Sequence, residues 1–319
     1  RNEPLALEKQ AEIKARYREV RELNRKRFAA FGFDWPHNEG LTFGREKAER
    51  RRVYEEFWEV GGLAYILAFA DLLLDERANE EAAEFVREKI RGVVDDPEVA
   101  ELLCPDHAVG CKRPCADTGY YQTFNREDVS LIDVSKTGIE RVTPRSVIAG
   151  GEEVELDCLI LATGFDAMTG SLEAIGIRGR DGVTLKEKWS AGPITYLGLG
   201  SAGFPNLFTI TGPGSPSVLA NMVTAIEQHV EFIADMLRYM EKHGHARVEP
   251  KVKAENDWVA YVNDVAAETI YPTCNSWYLG ANVPGKPRVF MPYVGFPPYV
   301  AKCEEIVAKD YEGFSFLKG

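Results

Sequence analysis

Three stretches of the chain carry residue types at spacings that could do chemistry. The first is "GPGSPSVLANM", Gly212 to Met222, where glycine, proline and serine run into a long apolar-periodic segment. A helix start carries free N–H groups and about half a positive charge, and glycines just before it admit a ligand close to the backbone. That makes the stretch a candidate site for an electron-rich or anionic group, with a capped core helix after a tight turn as the alternative. The second is "CPDHAVGCKRPC", where Cys104, His107, Cys111 and Cys115 imitate a metal site. Zinc ligands usually pair as C-x2-C or H-x3-H on tight turns, and no second half-site accompanies these, so no metal is expected. Cys111 and Cys115 also lack the spacing of a thioredoxin-like redox pair. The third is "GLGSAG", with Gly198, Gly200 and Gly203. A dinucleotide fingerprint needs a strand before it and a helix opening on its last glycine; here Pro205 and a strand-like segment follow, which argues against a phosphate loop.

These stretches need elements to hold them. Val218, Met222, Ile226, Val230, Ile233, Leu237 and Met240 recur at three- or four-residue steps, with Glu227, Glu231, Asp235 and Arg238 between them. The period predicts an amphipathic helix from about Ser217 to Lys242, capped by Ser215 or Ser217, with Pro216 in its first turn and Gly244 as its stop. Residues 7 to 103 are helical in pattern: "LEKQAEIKARYREVRELNRKRF", "EKAERRRVYEEFWEV", "AYILAFADLLL" and "EEAAEFVREKIRGVV". The basic run Lys47 to Arg52 is followed by Glu55, Glu56 and Glu59 at helical spacing and reads as a salt-bridged surface. From about Val129 the period shortens, and "VSLIDV", "RSVIAG", "EEVELDCLILATG" and "NLFTITG" read as strands, with "DCLILATGF" a buried parallel one. Strands followed by the long helix define an α/β domain. Of the five histidines, His229 reads as packed on the long helix, while His243 and His245 flank its end.

At 319 residues, 45% hydrophobic and 28% charged, the chain has ordinary globular composition and room for two domains. A net charge of -12 argues against nucleic acid and anionic lipid as partners. The longest apolar run, Leu63 to Leu74, contains Asp71 and is too short to span a bilayer; with no signal peptide pattern, a cytoplasmic protein is expected. Six cysteines in a chain of this length point to reduced thiols. The chain opens without methionine, directly in a charged helical pattern, which points to processing or truncation.

Several segments together resemble the carboxy-terminal half of the Baeyer–Villiger monooxygenases, flavin- and NADPH-dependent enzymes that insert one oxygen beside a ketone. They are "DCLILATGFDAMTGSL", "GPITYLGLGSAGFPNLFTITGPGSPSVLANM", "KRPCADTGYYQTFNREDVSLIDV" and "NSWYLGANVPGKPRVFMPYVG". The resemblance implies an α/β flavoprotein with FAD and NADP domains and a helical insertion. Residues 1–107 would be that insertion, 108–160 the last part of the NADP-binding domain, and 161–319 the last part of the FAD-binding domain with a mobile loop. The family's two glycine loops fall upstream of Arg1, so the remaining half of the enzyme is an implied partner. "YVGFPPY" also departs from the double glycine expected after Val294.

The resemblance further implies roles. Arg113 would stabilise the peroxyflavin anion and the adduct it forms with the ketone, a task suited to a permanently charged, multidentate guanidinium; an ion pair with Asp117 is the bland alternative. Lys112 would meet the 2′-phosphate of NADPH. Thr163 and Gly164 would sit at the crossover between the cofactor domains, and Pro216, Leu219 and Met222 would face the isoalloxazine. Trp277 would cover the nicotinamide ribose. Ser217, Leu219 and Tyr271 would line the ketone pocket. The substrates would be a ketone and O2. Two other readings stay open: a heteroatom-oxidising flavin monooxygenase, and a non-catalytic fragment.

Overall fold

The computed structural model describes residues 4–31 and 37–318. Arg1 to Glu3, where the charged opening stretch begins, lie outside these residues. The helical layer consists of α1 (Leu7–Ala15), α2 (Tyr17–Arg25), α3 (Lys47–Val60), α4 (Glu76–Arg91) and α5 (Pro97–Leu103). Its core is aromatic: the Tyr54 ring lies 5.3 Å from Phe69 and 5.5 Å from Phe85. Asp75 and Asp96 cap α4 and α5 by accepting from the N–H groups of Arg77 and Ala78, and of Glu98 and Val99. The basic run is the salt-bridged face expected, with Arg51 and Arg52 paired to Glu55 and Glu56 at 3.2 Å each.

One helix expected in this layer is absent. "AYILAFADLLL" contributes to a short 3-10 turn at Gly62–Leu67 and then to further turns. Buried Asp71 accounts for part of this, since its carboxylate accepts from both the N–H (3.0 Å) and the hydroxyl (2.7 Å) of Thr42 and holds the chain in a bend. Asn79, buried in α4, donates to the carbonyls of Leu72 (2.7 Å) and Val109 (2.9 Å) and accepts from the Val109 N–H (2.8 Å). It ties the helical layer to the segment that carries Lys112 and Arg113.

After the short α6 (Tyr120–Thr123), the strands β1 (Ile139–Val142), β2 (Ser146–Ala149) and β3 (Glu152–Glu155) form an antiparallel meander. "RSVIAG" and "EEVEL" are thus strands as expected, whereas "VSLIDV" and "NLFTITG" are not. In the latter, the Thr211 N–H donates to the His229 ring instead of to a neighbouring strand. "DCLILATGF" is neither strand nor buried: Ile160 is 82% and Phe165 92% exposed. A parallel strand needs neighbours to take its N–H and C=O groups, and the described residues supply none.

The remainder comprises α7 (Gly170–Ala174), α8 (Leu185–Lys188), α9 (Met222–His243), α10 (Val252–Ala267) and α11 (Phe296–Ala308), with β4 (His245–Pro250) paired antiparallel to β5 (Phe314–Lys318). The long helix starts later than its pattern predicts. Ala220 is extended, which separates a 3-10 turn at Ser217–Leu219 from α9, and Asn221 rather than either serine caps the helix. Gly244 stops it in the left-handed conformation, as expected.

The expectation of reduced thiols throughout is overturned, because Cys111 and Cys274, 163 residues apart, form a disulfide. Their Cα atoms lie 5.5 Å apart, a proximity created by tertiary packing that no local spacing encodes. Cys104, Cys115, Cys158 and Cys303 are free.

His229 is fully buried, as its place on the long helix suggested. Its Nδ1 accepts from the Thr211 N–H at 3.0 Å, and burial pushes its pKa down from 6.5 to about 4. Folding therefore favours the neutral ring: this contribution is complete above pH 6.5 and is lost as pH falls through about 4. Urea unfolding from pH 7 to pH 4 should show a loss approaching roughly 3 kcal/mol that His229→Asn diminishes; equal slopes in both proteins would contradict this.

Candidate functional site

Arg113 lies on a stretch without helix or strand between α5 and α6. Its exposed guanidinium donates to the Val218 carbonyl in the 3-10 turn ahead of α9. It also neighbours the Tyr278 hydroxyl: burial raises the pKa of that phenol, and Arg113 opposes the rise. Asp117 is engaged elsewhere, accepting from the Tyr120 N–H at 2.5 Å at the start of α6. Among the described residues no ion pair joins Asp117 to Arg113. Lys112 and Arg113 both line a cavity of about 1020 Å3, walled on the helical-layer side by Trp58, Tyr65 and Lys89 and on the other by His107 and Tyr121.

The glycine stretch resolves differently from its first reading. Residues 212–217, including Pro216 and Ser217, are buried, and their carbonyls are taken from within. Thr195 donates to Pro213 (2.6 Å), the Trp258 indole to Gly214 (2.9 Å) and the Tyr293 N–H to Ser215 (2.7 Å). A Cβ on Gly212 would sit 2.4 Å from the Gly198 carbonyl, and one on Gly198 2.5 Å from the Ser215 nitrogen. These glycines permit two backbones to touch. Asn221 accepts from the first N–H groups of α9, those of Val223 and Thr224, as in a capped core helix. Ser217 adopts φ 42, a left-handed conformation that costs a non-glycine residue about 1 kcal/mol or more. Val218, Leu219 and Met222 remain half-buried.

Two amides of "GLGSAG" are likewise committed. The Ala202 N–H donates to Glu255 at 2.7 Å and the Gly203 N–H to Glu249 at 2.8 Å, while Lys188 pairs with Glu255 and Arg180 with Glu249. Two carboxylates occupy the positions where a phosphate would have to bind.

The segment from Tyr271 to Arg288 packs beside the 3-10 turn that carries Val218. Tyr271 is buried, its ring 5.2 Å from Phe290 and 5.8 Å from Tyr278, and burial raises its pKa. Trp277 is half-buried with its ring 4.3 Å from that of Tyr278. Val218, Leu219 and Trp277 pack against the cluster that contains Cys111, Tyr271, Cys274 and Tyr278. Further on, Asn282 donates to the Phe165 carbonyl at 2.6 Å, and Lys286 pairs with Asp166 and donates to the Ala167 carbonyl at 3.2 Å. These bonds fasten the loop over the residues that follow Thr163 and Gly164. Both of those are exposed, and Gly164 has a φ of 85, a value that favours glycine.

Arg113, Val218, Leu219, Tyr271 and Trp277 are thus brought together. Lys112 lines the cavity, and the residues that follow Thr163 and Gly164 are bonded to the 282–286 loop. Sequence reasoning missed Tyr278, Asn282, Lys286 and the disulfide. The first three lie inside "NSWYLGANVPGKPR", where the motif offered a signal; the disulfide offered none.

No family model matches the chain. It is 40% identical over 287 residues to a Baeyer–Villiger monooxygenase of Pseudooceanicola batsensis, covering 89% of this chain and 52% of the relative. A cyclopentanone 1,2-monooxygenase of a Comamonas species is 37% identical over 295 residues, covering 91% and 53%, respectively. A phenazine N-monooxygenase of Lysobacter antibioticus is 37% identical over 308 residues, covering 95% and 56%. Among solved structures, an oxidized steroid monooxygenase bound to NADP superimposes with TM-score 0.90 at 47% identity, over 99% of this chain and 59% of that one. OTEMO in complex with FAD and NADP does so with TM-score 0.92 at 36% identity, over 98% and 58%. The chain therefore shares its fold with part of the α/β flavoprotein monooxygenases built on two dinucleotide-binding domains. Within that class the chain is homologous to the Baeyer–Villiger monooxygenases and matches a carboxy-terminal portion of them. It spans about half the length of the curated relatives it matches.

If Asn282 and Lys286 hold the loop, Asn282→Ala combined with Lys286→Ala should speed proteolytic cleavage between Ala281 and Arg288 several-fold. An unchanged cleavage rate would remove these contacts from the account.

Proposed function

We propose that the chain is part of a Baeyer–Villiger monooxygenase that uses FAD, NADPH and O2 to convert ketones to esters or lactones. One observation carries the reading: a guanidinium is held on the Val218 carbonyl beside Tyr278, at the wall of a large cavity it shares with Lys112. Adjacent cations on a cavity wall suit a phosphate-bearing cofactor and a developing oxyanion. The flavin, when bound, supplies the activation of oxygen. Arg113 keeps a permanent positive charge where negative charge develops on the reacting oxygen and the former carbonyl. Its bond to Val218 restricts the rotation of the side chain and leaves further N–H groups to donate.

The other roles follow from the same reading. Lys112 meets the 2′-phosphate and selects NADPH. Thr163 and Gly164 lie at the crossover of the cofactor domains, whose limits are 108–160 and 161–319, with 1–107 as the helical insertion. Pro216, Leu219 and Met222 approach the isoalloxazine, and Trp277 closes over the nicotinamide ribose. Ser217, Leu219 and Tyr271 border the ketone. Turnover requires the rest of the enzyme, because both nucleotide-binding glycine loops belong to it, and we place the whole in the cytoplasm. Among the described residues no helix is long and apolar enough to cross a membrane.

In the complete enzyme, Arg113→Ala should lower ester formation by at least about a hundredfold, measured by product chromatography. Unchanged ester formation would end the assignment. The phenazine N-monooxygenase among the relatives supports a second reading, oxidation of a ring nitrogen. NADPH consumption stimulated by aromatic N-heterocycles and not by ketones would favour it.

A further inference from the structure

The Cys111–Cys274 bond joins the segment that carries Arg113 to the one that carries Trp277 and Tyr278, and the function proposed above uses neither sulfur. Cys111 is two residues before Arg113, and Cys274 is three before Trp277 and four before Tyr278. Both cysteines are buried in the cluster against which Val218 and Leu219 pack. The Arg113 segment has no helix or strand, and its nearest anchors are peripheral: Asn79 holds Val109, and Asp117 holds Tyr120. Among the described residues no backbone hydrogen bond joins 110–117 to 271–280. The disulfide is the covalent link that sets one segment against the other.

We propose that this disulfide is a redox-sensitive positioning element for Arg113, an inference that rests on the role assigned to that arginine. A dithiol reductant supplies two electrons and two protons, the S–S bond becomes two thiols, and the reductant closes its own disulfide. The 111–113 segment is then free of 274–278, and the guanidinium loses its fixed place between the Val218 carbonyl and Tyr278. Gly110 and Lys112, on either side of buried Cys111 in the chain, line the cavity of about 1020 Å3. In a reducing compartment disulfides are rare, and those that form there are typically transient or redox-sensing.

The test uses the complete enzyme before and after dithiothreitol, with alkylation, peptide mapping and hydrogen exchange. The expected result is a cross-linked Cys111–Cys274 peptide that reduction separates, together with faster exchange in 108–118 and 271–280 but not in α4. Ester formation per NADPH consumed should fall about tenfold or more on reduction and return on reoxidation in the wild type but not in Cys274→Ser. Alkylation of both cysteines without reduction, or the same exchange in both redox states, would overturn the proposal, and the redox comparison decides the matter even where Cys274→Ser fails to fold. An Arg113→Ala enzyme that keeps ester formation but shows the cross-link and the exchange change would instead mark the failure of the catalytic role.

Discussion

The hydrogen bond from the Arg113 guanidinium to the Val218 carbonyl joins segments that are 105 residues apart in the chain, and most of the site's construction serves to bring its two ends together. The donor end rests on the helical layer, because Asn79 in α4 grips both backbone groups of Val109 just before the arginine. The acceptor end rests on the interior of the 212–217 turn, whose carbonyls are fixed by Thr195, Trp258 and Tyr293. Tyr278 and the Cys111–Cys274 bond close the third side. A charged side chain on a coil loses several rotatable bonds' worth of freedom when it is ordered, so its position depends on such rigid surroundings.

Buried carboxylates do comparable work around the glycine-rich loops. Glu249 and Glu255 accept from the amides of Gly203 and Ala202 and are neutralised by Arg180 and Lys188. A buried carboxylate is tolerated only when paired and hydrogen-bonded, and each meets both conditions. The loop that resembles a nucleotide fingerprint is thereby a structural turn.

The sequence made some of this legible and left the rest hidden, for identifiable reasons. Periodicity located α3, α4 and most of α9, since an amphipathic stripe is a local property. It misplaced the start of α9 because the extended backbone at Ala220 leaves no mark on the apolar pattern, and Asn221 supplied a better cap than the serines before it. "DCLILATGF" has the composition of a buried strand, yet strand formation depends on neighbours, and among the described residues it has none. The site residues Arg113 and Trp277 came from resemblance, while Tyr278 and the pairing of Cys111 with Cys274 depend on tertiary proximity that spacing alone does not carry.

The most direct measurement of the central claim is the fate of isotopically labelled O2 when the complete enzyme turns over NADPH and a cyclic ketone. The account predicts a lactone that carries one labelled oxygen in its ring. NADPH consumed with all the label recovered in hydrogen peroxide and water, and no lactone formed from any ketone tried, would contradict it.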